Sequence, residues 1–135
     1  MVLEVCTVSR FLFLSLAGLV AVSVGAMALL APEVMLSTKG IHGNAAARVW
    51  MREVGAVLLA TGVTAWLVRS HEDSPTLRAL LWGNALLQIG LLPIELIAHA
   101  QGVIATAAGI VPNTVLHVVL AVGFVTHARA IRPQA

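Results

Sequence analysis

Four polar side chains recur on one stripe of an otherwise apolar run: Asn84, Gln88, Glu95 and His99. At about 100° per residue they fall within about 60° of one another, so a helix presents them together. Asn113 and His117 continue a strict four-residue spacing, Ala105, Gly109, Asn113, His117, Ala121. Arg48, Arg52 and Glu53 open a third run; the two arginines share a face, and Glu53 lies about 100° from Arg52. Carboxyls and imidazoles are the groups that move protons. An apolar setting disfavours the charged form of each, which suits a carboxyl to donate and an imidazole to accept. The candidate catalytic groups are therefore Glu53 and Glu95 as acids, with His117 and His99 as bases. Arg52, Arg48, Asn113, Gln88 and Asn84 are the candidate ligand-binding groups.

Isomerisation or cyclisation of an isoprenoid-like or other lipid substrate needs an acid, a base and an apolar cavity. The sequence shows no dinucleotide-binding glycine loop, so no cofactor is expected. Glu95 and His99 have the i, i+4 spacing of two metal ligands, with His117 as a third. There is no HExxH, and Cys6 is the one cysteine, so no metal is expected either. His99 with His117 is the one plausible axial pair for haem. The same side chains also suit a structural role, with Arg52 and Glu95 as an ion pair and Asn84 and Gln88 as interhelical hydrogen-bond glue.

What positions these groups follows from composition. The chain has 135 residues, 59% hydrophobic and 10% charged, with a mean hydropathy of +0.97. A soluble domain carries about 25% charged residues. The balance excludes an ordinary soluble enzyme, a disordered tail and a nucleic-acid binder, and makes the bilayer the expected partner. Four apolar runs, 11–31, 49–68, 77–98 and 103–128, each reach the ~20 residues that cross ~30 Å of hydrocarbon. Period-two alternation is absent, which argues against a barrel. The expected fold is an all-α, integral membrane four-helix bundle in one domain.

Boundary signals place the helices at about 8–31, 45–69, 75–99 and 111–130. Asn44 caps the second, and Ser74-Pro75 caps and opens the third. Gln101-Gly102 reads as a turn. Pro112 kinks the last run or starts its helix; a start near Val111 leaves 100–111 as an interfacial connector. The first run is read as a retained helix, because it is longer than a signal-peptide core and lacks a clear cleavage site. The outer segment 32–43 is expected to form one interfacial turn, with His42 as a loop histidine. Ala17, Ala21 and Gly25 make a small-residue stripe on the first helix.

Trp50 and Trp66, about 24 Å apart at the helical rise, fit anchors at the two interfaces. Four spans put Arg10, Arg69, Arg78, Arg129 and Arg132 on one side, against Lys39, Arg48 and Arg52 on the other. Five against three favours both termini inside, in a bacterial inner membrane. By depth, Arg52, Glu53, Glu95, His99, Asn113 and His117 then converge in the outer half of the bilayer.

The stretch Ala28-Leu-Leu-Ala-Pro32, Gly40, the segment RVWMREVGAVLLATG from Arg48, and Val111-Pro112 together resemble the small DoxX-like bacterial membrane proteins. The resemblance covers about half the chain and implies a four-helix inner-membrane bundle. Arg52, Gly55 and Gly62 match its pattern; Glu95, His99 and His117 are not carried over from it. Two further function classes stand beside the acid–base pocket for an apolar small molecule. One is a non-enzymatic membrane subunit; the other is a small transporter working as a homo-oligomer.

Overall fold

The computed structural model describes residues 9–132, in which five helices and no strand occur. They are α1 (Arg10–Leu30), α2 (Pro32–Thr38), α3 (Ala45–Val68), α4 (Pro75–Ala100) and α5 (Ala107–Ala130). All but α2 are long and apolar enough to cross a membrane. The protein is thus a multi-pass membrane four-helix bundle with one short extra helix.

Each long helix opens on a side-chain cap that accepts from a first-turn amide, the usual solution for orphan N–H groups. Ser9 accepts from Leu12, Asn44 from Ala47, Ser74 from Leu77 and Thr106 from Gly109. Two of these, Asn44 and Ser74, match the sequence expectation. The last helix does not: it begins at Ala107, four residues before Val111. Thr106 is extended (φ −121°, ψ 143°), and its hydroxyl accepts from Gly109 N at 3.1 Å. Pro112 is therefore inside the helix, not at its start. The segment 32–38 is a full helix, opened by Pro32 and closed at Lys39 before Gly40, whose φ is +73°.

Two helix pairs build the bundle: α1 against α3, and α4 against α5. The first pair touches backbone to backbone. A Cβ on Gly55 would sit 2.6 Å from Leu29 N and 2.8 Å from Gly25 O; one on Gly62 would sit 2.8 Å from Gly18 O. Seven residues separate the glycines on each helix, so both contacts lie on one seam. The apolar core joins the pairs at the end away from α2, through Leu14, Ala65, Leu81, Ala85, Phe124 and Ala128. Phe13 meets Phe124 edge to face at 5.0 Å. That end is clasped by Asp73, which pairs with Arg10 and accepts from Arg132 N; Arg10 also donates to His71 O at 2.8 Å.

Candidate functional site

The other half of the bundle holds the polar groups. Glu95, on α4, has its side chain 13% exposed. Its Oε1 accepts from Lys39 Nζ at 2.8 Å and from Asn113 Nδ2. Asn113 Nδ2 also lies 3.2 Å from His117 Nε2, and His117 Nδ1 lies 2.6 Å from Gln88 Oε1. Gln88 is the one buried polar residue among those described, at 7% exposure. A continuous chain therefore runs Lys39–Glu95–Asn113–His117–Gln88 across α4, α5 and the end of α2.

The hydrogens follow from the carboxylate. With Glu95 accepting, Asn113 must present its amide N–H groups, one to Oε1 and one to His117 Nε2. Nε2 is then a lone pair, so Nδ1 carries the proton and donates to Gln88 Oε1. The remaining oxygen, Glu95 Oε2, is buried with no hydrogen-bond partner among the described residues. It faces His117 Nε2 at 3.8 Å. Oε2 is thus an acceptor with no donor of its own, beside an imidazole nitrogen whose lone pair is taken by Asn113. A hydroxyl or a protonated ligand group is what such an oxygen accepts.

Local backbone geometry explains why Lys39 reaches this site. Gly109 packs on the Lys39 backbone so closely that a Cβ would lie 2.8 Å from Lys39 Cα. Ala105 N donates to Lys39 O at 3.3 Å. The end of α2 is thereby tied to the connector before α5, and the lysine turns back onto α4. Sequence reasoning placed Lys39 only as a loop charge, because its partner is 56 residues away. The glycine at 109, within a stripe of otherwise larger residues, was the available signal.

The other candidates have different places. His99 is not in the site: its Nδ1 donates to Ile104 O at 2.8 Å and closes the turn after α4, holding Ile104 in its buried position. Glu53 and Arg52 are exposed on α3 and have no ion pair among the described residues. Gly55 explains this: it faces α1, and Glu53 lies two residues, about 160°, round the helix. Arg48 pairs with Glu33 at 3.4 Å and donates to Gly43 O at 3.1 Å, stapling the segment between α2 and α3. Asn84 donates to Leu80 O at 2.9 Å and borders a cavity of about 20 Å³ beside Gln88, between the helix pairs. That volume holds about one water. An open cleft of about 400 Å³ lies between α2 and the start of α3, lined by Glu33, Ser37, His42 and Asn44. No group of three or more His, Cys, Asp or Glu side chains suited to a metal occurs among the described residues.

No family model, curated protein or solved structure matches this chain. Of the residues that carry the DoxX-like resemblance, Gly55 and Gly62 pack α3 against α1 and Arg52 is exposed.

Proposed function

We propose that this protein moves a proton on a lipid-soluble substrate, with His117 as the base, in an isomerisation or cyclisation that needs no cofactor. The observation that carries the reading is the buried Glu95 Oε2, which has no hydrogen-bond partner among the described residues and lies 3.8 Å from His117 Nε2, itself held by Asn113. In a membrane an ionisable group is expensive, and a carboxylate oxygen kept there without a donor points to a ligand that supplies it. Gln88 fixes the tautomer in which Nε2 carries a lone pair, and the substrate's proton takes the place of the Asn113 N–H there. The carboxylate stabilises the imidazolium that forms when Nε2 takes a proton. Lys39 supplies the opposing positive charge and a donor for an oxygen on the substrate.

In the simplest step, a substrate C–H proton passes to His117 Nε2 and returns from it to another carbon. One double bond moves, and nothing is oxidised or reduced. The roles differ from a protonated Glu95 acting as acid, since both donors on Oε1 complement a carboxylate. The small cavity beside Gln88 means that the substrate's apolar part stays in lipid. Only its reacting end enters. The excess of arginines at the Asp73 end supports an inside position for that end, and with it a site in the outer half of a bacterial inner membrane.

The test is hydrogen exchange into lipid. Purified protein in bilayer discs is incubated in D₂O with a total extract of apolar membrane lipids, which is then read by mass spectrometry. Wild type should label one lipid class at carbon, and H117Q should label none while remaining folded. No label above a heat-killed control overturns the reading.

A second reading is favoured by the self-satisfaction of most of the network and by the small cavity. Here Lys39, Glu95, Asn113 and His117 lock α2, α4 and α5 together in a non-enzymatic membrane subunit. Loss of thermal stability in H117Q with no labelled lipid in wild type is its signature.

A further inference from the structure

Most of α3 has no cover. Its buried residues are Gly55, Gly62 and Ala65, and the glycines face α1. The opposite side carries Val49, Glu53, Ala56, Ala60, Val63 and Leu67, every one of them exposed. Their spacing alternates four and three residues, which is the seam of a left-handed helix pair. Apolar residues exposed in a membrane span are ordinary, since lipid covers them. Glu53 is not. It stands eight residues into a 24-residue helix, about 12 Å along its axis. A centred span about 6 Å longer than the hydrocarbon leaves Glu53 roughly 9 Å inside it. Arg52, beside it, is also exposed, and neither has an ion-pair partner among the described residues.

We infer that this face of α3 docks against the same face of a second copy of this chain, as a symmetric dimer. The charges choose the occupant. Two copies inserted in the same sense present parallel α3 helices with their charges at one depth. In a parallel seam, a residue at the Glu53 position packs into a hole on the other helix. One wall of that hole is the residue just before its counterpart, which is Arg52. Each Glu53 therefore meets Arg52 of the other copy, and symmetry makes the contact twice. The two flanking arginines offset the approach of the two carboxylates, so the four charges sum to zero. Ala56 and Ala60, one and two turns deeper, let the backbones come close. Glu95 and His117 lie on α4 and α5 and take no part, so the dimer stands or falls independently of the proton-transfer reading.

The experiment uses the full chain with Cys6 replaced by serine, in membrane vesicles. A single cysteine is introduced at Ala56 or Ala60, or at Val119, an exposed residue of α5 (59%), as the control. Oxidation should link A56C and A60C into dimers and leave V119C monomeric. In the A56C chain, R52E and E53R should each lower the dimer association constant about tenfold or more, and the double exchange R52E/E53R should restore it. Equal linking at Val119, absence of linking at Ala56 and Ala60, or failure of the double exchange to restore the dimer overturns the proposal. If a single charge variant does not insert, the seam cysteines and the double exchange still decide it.

Discussion

Removing Lys39 tests the electrostatics of the site most directly. Its ammonium lies 2.8 Å from Glu95 Oε1, with the two side chains 17% and 13% exposed. K39M keeps the length of the stem and deletes the charge. The carboxylate is then left partly buried, its other oxygen already without a donor among the described residues. Breaking a fully buried pair from one side costs about 3–5 kcal/mol. The residual exposure of both groups lowers the expectation to about 2–3 kcal/mol. At about 3 °C per kcal/mol for a chain of this size, the melting temperature should fall about 6–9 °C.

The converse substitution is milder. E95Q keeps an acceptor for Asn113 and frees a lysine whose flexible stem can carry its charge to water; its cost should be about 1 kcal/mol. K39M/E95Q together remove both charges and should lie within about 1 kcal/mol of wild type, because a neutral pair of similar volume is often no less stable. The two single effects are thus expected to be non-additive by about 2 kcal/mol. Thermal unfolding in detergent, followed by intrinsic tryptophan fluorescence, measures all four proteins. A K39M protein as stable as wild type, or a double variant whose loss equals the sum of the singles, would refute the charge coupling.

The glycine seam makes a second prediction. G55A and G62A should each destabilise by about 1–2 kcal/mol, as overpacking outweighs the gain in helix propensity, whereas G90A, whose Cβ would meet nothing within 4 Å, should be neutral or slightly stabilising. At the opposite end of the bundle, Asp73 is held below the usual aspartate range, first by its hydrogen bond from Arg10 and then by the one from Arg132 N. A lowered folded value means that its contribution is present at neutral pH and is lost as pH falls below about 4. Acid-unfolding midpoints should therefore converge for wild type and D73N, with wild type the more stable only above that range. H99A should speed amide exchange across 101–106 while leaving exchange around His117 unchanged, since its bond to Ile104 O closes only that turn.

What could be read beforehand divides by geometry. The number of long helices and the caps at Asn44 and Ser74 depend on counting residues along one chain, and these agree with the structure. Azimuth between helices does not follow from counting. Glu53 and Glu95 share a depth, yet one faces away from the bundle and the other into it. The glycines held the missing information. Gly55 and Gly62 lie on the contact face of α3, where the absence of side chains lets the backbones come close. Glu53, about 160° from Gly55, must then point outward. Arg52 lies near the packed face, but α1 ends at Leu30, beside Gly55, and does not extend over the next turn. Gly109 works in the same way at the site itself. It admits the Lys39 backbone, and so decides which cation reaches Glu95: one from a loop, not Arg52 from a facing helix. In a bundle this apolar, the charged residues mark where chemistry can occur, and the glycines decide which of them meet.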